Sequence, residues 1–161
     1  MKFELTWRRG FRTALLVLGL AVSSVSFTEV MKLSSEIRAA LQDSSTFREI
    51  HSIKDLPASV VALCADANGK LADPGMKWEA TDYIADSTLP TKRLIWAVTN
   101  NHYYVVHYES GGYSHSFRYL VATVEMGTAK AVWRGVGNRQ LKNFAEFITA
   151  LNTGQLDDHL E

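Results

Sequence analysis

The sequence predicts an α+β domain: N-terminal helices, a four- to five-stranded antiparallel β-meander, and a C-terminal helix packed on the sheet. Three observations predict it. Residues 92–134 are rich in Val, Ile, Tyr, Trp and Phe and are broken by short links at Asn100-Asn101, Gly111-Gly112 and Gly127-Thr128. Links of that kind join sequential antiparallel strands. Apolar residues flanking this block, over 29–43 and 138–152, recur at helical spacing. The chain of 161 residues is of a size for one domain, with no repeat, low-complexity linker or composition shift to divide it.

The first 26 residues read as a leader. Arg8, Arg9 and Arg12 precede the apolar run Ala14 to Val22, and Ser23-Ser24-Val25-Ser26 follows. Basic, apolar and small residues in that order describe a secretory signal peptide over 1–26, cleaved after Ser26 or after Ser23. The domain is then 27–161, periplasmic or secreted. The competing reading is an uncleaved anchor over 13–28, which the apolar run is short for. Removing 1–26 leaves 13 Lys+Arg against 16 Asp+Glu, a net charge of −3. That balance gives no electrostatic case for nucleic acid or an anionic membrane. Cys64 is the single cysteine, so no internal disulfide forms, and a small buried apolar residue is expected there.

The elements follow in order. Over 29–43, Val30, Leu33, Ile37, Ala40 and Leu41 form a helical stripe. Thr46 and Glu49 have capping-box spacing and predict a short second helix. A third is expected over 56–65, with Asp55 as its N-cap and Pro57 in its first turn. Asp66 to Asp73 has the look of a calcium loop but lacks glycine at the sixth position and Glu at the twelfth, so it reads as a turn. Met76, Trp78, Ala80 and Ile84 alternate with polar residues and predict a strand. Four strands are expected at 92–99, 102–109, 113–126 and 129–134. Asn138 is the expected cap of the last helix, over 138–152, which Gly154 stops.

Function is sought in 102–126, which holds three of the 5 histidines and five of the 6 tyrosines. A two-residue loop at Gly111-Gly112 would pair Tyr108 with His115, Val106 with Phe117 and Tyr104 with Tyr119. The neighbouring links would pair Ile95 with Val106 and Glu125 with Lys130. One face would then carry Tyr104, Tyr108, His115, Phe117 and Tyr119, with Arg93 and Arg134 at its rim. Such a face is either an aromatic contact surface or lies under the chain's own helices. The expected function is that of an exported, non-enzymatic binding protein, inhibitor- or adaptor-like, whose partner is an envelope or secreted protein or a second copy of the chain.

The alternative is a small periplasmic enzyme or a metal- or ligand-binding protein. It would use the polar end of the hairpin: His107, Glu109, Ser116 and Arg118. Ser, His and a carboxylate are the vocabulary of nucleophilic catalysis, but no nucleophile turn or oxyanion hole is evident. In the same register His107 and His115 lie on opposite faces and cannot share a metal. No metal, dinucleotide or phosphate-loop motif occurs, so no cofactor and no metal are expected.

Overall fold

The computed structural model describes residues 32–81, 86–112 and 114–158. The expected leader, the alternative anchor and the start of the first predicted helix lie outside them. Among the described residues, no helix is long and apolar enough to cross a membrane.

The fold is α+β, as expected. Six antiparallel strands lie in sequence order: β1 (Arg48–Ile50), β2 (Lys92–Thr99), β3 (Tyr103–Ser110), β4 (Ser116–Glu125), β5 (Thr128–Gly137) and the two-residue β6 (Asp157–Asp158). Helices α1 (Ser35–Gln42) and α3 (Phe144–Asn152) cover one face of the sheet, where Leu41, Phe144, Phe147 and Leu151 meet Val98, Val105, Tyr119, Val121 and Trp133. Helix α2 (Ala58–Cys64) covers the other, where Val60 and Cys64 meet Leu94, Ala97, Tyr104, Val106, Tyr108 and Leu120. Both faces of the sheet are therefore core. Cys64 is wholly buried there, and burial pushes its thiol up to about 12, which removes it from nucleophilic chemistry at ordinary pH.

Helix boundaries follow the caps. Ser34 accepts from the Ile37 amide and starts α1 at Ser35, later than the apolar stripe suggested. Thr46 does not open a helix. Its hydroxyl donates to the Asp43 carbonyl, and the chain runs on as β1, paired with Ala97 to Thr99. Asp55 does not cap α2, being part of a separate 3-10 turn. The Pro57 carbonyl takes the first amides of α2, from Val60 and Val61. Asn143, not Asn138, caps α3 by accepting from the Glu146 amide. The Glu146 carboxylate in turn accepts from the amide of Lys142, the residue before the cap.

The predicted strand from Met76 onward is absent over 76–81; its last residues, 82–85, lie outside the described part. The outer edge of β2 is already occupied, by β1 at Ala97 to Thr99 and by a single parallel bridge from Ala72 at Arg93. The chain turns at Asp73 to Met76 instead and crosses the end of the β3–β4 hairpin.

The hairpin registers also differ. The β3–β4 loop spans five residues, 111–115, so Tyr108 pairs with Arg118, His107 with Tyr119 and Tyr104 with Ala122. This is a shift of three from the expected register, and an odd shift exchanges the faces of one strand against the other. Tyr104, Tyr108 and Tyr119 therefore do not share a face, and all three are buried. The β2–β3 loop is longer as well. Asn101 adopts φ 70 and the Asn100 side chain accepts from the Tyr103 amide, so Val106 pairs with Ala97, not Ile95. Between β4 and β5 the turn residues are Met126 and Gly127, both at positive φ, so Glu125 pairs with Thr128 and Lys130 with Thr123.

Candidate functional site

Three elements meet at the Gly111 end of the sheet. The first is a β-bulge in β2 at Ile95, between Leu94 and Trp96. Continuing the register of Trp96 to Thr99 back along β2 without it would place Leu94 opposite Glu109. The extra residue turns the strand by one position and sets Arg93 opposite Glu109, on the same face. The second is Gly111. Its amide donates to the Thr91 carbonyl at 2.9 Å, and the backbone of 79–80 crosses so closely that a Cβ there would meet Glu79 O at 2.3 Å. Only glycine leaves that space. The third is the crossing segment itself, held by the Glu79 amide donating to the Pro90 carbonyl at 2.9 Å, which brings Trp78 over the end of the hairpin.

Glu109 is the centre of the arrangement. Its side chain is only 6% exposed, yet it is fully engaged. Arg93 donates through Nε and Nη2, both 2.6 Å from Oε1, and His115 Nε2 lies 2.8 Å from Oε2. A buried carboxylate held by a guanidinium and an imidazole meets the requirement that buried charge be paired. Arg93 also donates through Nη1 to the Met76 carbonyl at 3.2 Å. The indole of Trp78 lies 5.2 Å from the Arg93 guanidinium and 5.5 Å from the His115 ring. Phe117 also packs on His115, with ring centroids 4.9 Å apart. The imidazole of His115 is 43% exposed, Arg93 is 29% exposed and Met76 is 60% exposed. Beside Arg93 and Glu109 an open hollow of about 220 Å³ lies between the Pro74-Gly75 turn, the β2 bulge and Gln140.

The predicted residues divide accordingly. Arg93, His115 and Phe117 come together here. Tyr104 and Tyr108 are core under α2, and Tyr119 is core under α3, stacked on His107 at 4.3 Å. Arg134 is not at the same rim; it lies under α2, where it donates to the Leu63 carbonyl at 3.1 Å. Trp78 and Met76 were not predicted as site residues, because the alternation around them reads as a strand. The one sequence signal for them is Gly111, whose missing side chain marks a close backbone approach.

The predicted catalytic set does not converge. His107 is wholly buried among Trp96, Phe117 and Tyr119. Its Nδ1 donates to the Arg118 carbonyl at 3.1 Å, and its Nε2 accepts from the Leu141 amide at 3.3 Å. The second bond fixes the neutral tautomer, since Leu141 offers only a donor. Burial lowers its pKa to about 4. Glu109 is two residues along the same face, but Arg118 is on the α2 face with Ser116, whose hydroxyl accepts from Arg118 Nε at 3.2 Å. His107 and His115 belong to one face, contrary to expectation, because of the odd shift. Among the described residues no group of His, Cys, Asp and Glu could hold a metal ion.

Asp66 is a structural anchor. Burial pushes its carboxyl up, but the amides of Thr91, Lys70 and Asn68 outweigh this and hold it below the usual range. These bonds, each 2.9 Å, tie the turn after α2 to the start of β2. No family model matches the chain, and neither a curated protein nor a solved structure is significantly similar to it.

Proposed function

We propose that this chain is an exported, non-enzymatic binding protein, inhibitor- or adaptor-like, that contacts a protein partner with the Gly111 end of its sheet. The contacts are Met76, Trp78, Arg93, His115 and Phe117. One observation carries the reading: at a partly exposed site Trp78 lies against Arg93 and His115, Phe117 packs on His115, and the buried carboxylate of Glu109 holds both the Arg and the His. Trp and Arg dominate interface energetics, and Met is enriched with them. Side chains already fixed by packing lose little freedom on binding. Export rests on the leader, Arg8 to Ser26.

A photo-crosslinking amino acid at position 76, in cells of the native host, tests it. Met126, fully exposed at the β4–β5 turn on the opposite end of the sheet, is the control position. The expected result is a discrete adduct from position 76 and none from position 126. An adduct of twice the protein's own mass identifies the partner as a second copy. No adduct, or the same adducts from both positions, ends the proposal.

A further inference from the structure

The hollow beside Arg93 has a chemistry of its own. Glu109 has little acceptor capacity left to offer there, because Oε1 takes two donors from Arg93 and Oε2 takes His115. The Arg93 guanidinium, by contrast, spends its N–H groups on Glu109 and Met76 and keeps donor capacity to spare, since a guanidinium offers more donors than these contacts use. One carboxylate is thus shared by two groups that can carry positive charge, and Lys77 adds an exposed ammonium on the adjoining turn. Gln140 also lines the hollow. At about 220 Å³ the space falls short of a pocket for a whole cofactor or metabolite, but it admits a short acidic side chain.

We infer that this hollow receives a single carboxylate of the polypeptide partner, from an Asp or Glu side chain or the partner's own C-terminus, with the outward N–H groups of Arg93 as the recognising donors. The inference rests on the binding reading above and names the chemistry of its contact. A planar, forked guanidinium held by Glu109 and Trp78 is oriented in advance for a carboxylate. The β2 bulge is what aims it there, by moving Arg93 to this face.

The test is an NMR titration of the isotope-labelled protein, following the Arg93 Nε–H and the Ile95 amide. The probes are N-acetyl-aspartate N-methylamide, the matching asparagine compound and inorganic phosphate. The aspartate probe is expected to shift both signals saturably, with the asparagine probe about tenfold weaker, the value of one charge-assisted hydrogen bond. Arg93→Lys, which keeps the charge and loses the fork, is expected to weaken the aspartate probe about tenfold. Gln140→Ala, which leaves the Arg93–Glu109 pair intact, is expected to weaken it about threefold. Equal shifts from the aspartate and asparagine probes, or no shift from either, overturn the inference. Tighter binding of phosphate than of the aspartate probe overturns it in favour of a phosphate ester. The two proposals fail separately. Crosslinking at position 76 without probe binding leaves the contact surface standing and removes the carboxylate, and probe binding without crosslinking does the reverse.

Discussion

His107 and His115 lie on one face of the same hairpin and do different work. His107 is held by two backbone groups, the Arg118 carbonyl and the Leu141 amide, and is wholly buried. His115 is held by one charged side chain, Glu109, and is 43% exposed. The first arrangement fixes a neutral tautomer and joins the sheet to the segment leading into α3. The second leaves one edge of the ring open to solvent beside Trp78 and Phe117. Residue type alone thus decides little; the place in the hairpin, within β3 or in its loop, and the partners found there decide whether an imidazole is a structural strut or a group that can meet something else.

The largest effect is expected from His107→Ala. It opens a cavity between Trp96 and Tyr119 and takes away the acceptor of the Leu141 amide, so a loss of about 4 kcal/mol is expected by chemical denaturation. His115→Ala with an equal loss would erase the distinction between the two residues.

The next effect is on pH dependence. The His107 pKa of about 4 in the folded state lies below its ordinary value of 6.5 because burial disfavours the charged ring. The unfolded chain therefore binds this proton first. Its contribution is fully present above pH 6.5 and falls away as pH drops toward 4, by about 3 kcal/mol in all. Denaturation midpoints at a series of pH values should show that slope in the native protein and a flattened one in His107→Gln. An unchanged slope in the variant would place the acid sensitivity elsewhere.

How much of this was legible in the sequence depends on the kind of signal. The β-branched and aromatic content of 92–134 marked the four long strands to within a few residues, because such side chains suit a pleated surface whatever the loops do. Register was not legible. It depended on backbone conformations at Asn101, Gly112 and Met126 and on bulges at Ile95 and Val132, none of which leaves a periodic trace. One odd shift moved Tyr104 and Tyr108 away from Tyr119 and brought His115 to the side of Glu109. Arg93 and His115 were identified as contacts, but through a pairing that does not form. Their companion Trp78 was hidden by a strand-like alternation in a segment that crosses the sheet end.

Gly111→Ala probes that crossing directly. The added methyl meets Glu79 O at 2.3 Å and Ala80 backbone atoms at 2.8 Å, so either the crossing segment or the hairpin must move. A cost of about 2 kcal/mol is expected, together with a change in Trp78 fluorescence that the other tryptophans, each replaced in turn by Phe, do not account for. Wild-type stability and an unchanged spectrum would show that the segment is not pinned there.

The smallest effect is expected from His115→Ala. Glu109 keeps Arg93, and the lost partner is half in water, so a change of less than about 1 kcal/mol is expected in a thermal melt. Crosslinking from position 76 should nonetheless fall, because the ring is proposed as a contact rather than a prop. Stability lost with crosslinking retained would reverse the roles assigned to the two histidines.

The helix that opens the described part of the protein is tied to the one that closes it. Arg38 of α1 donates to the Leu151 carbonyl at the end of α3, and Gln42 exchanges side-chain hydrogen bonds with Asn152, 110 residues away. Leu41 has its place in the same cluster as Phe144 and Phe147. A polypeptide emerging N-terminus first therefore carries α1 for its whole length before its docking site exists. Completion of that side of the domain waits for the final residues, and contacts of such long sequence separation form slowly. Release of the last helix, by truncation before Phe144 for instance, would strand the first one as well.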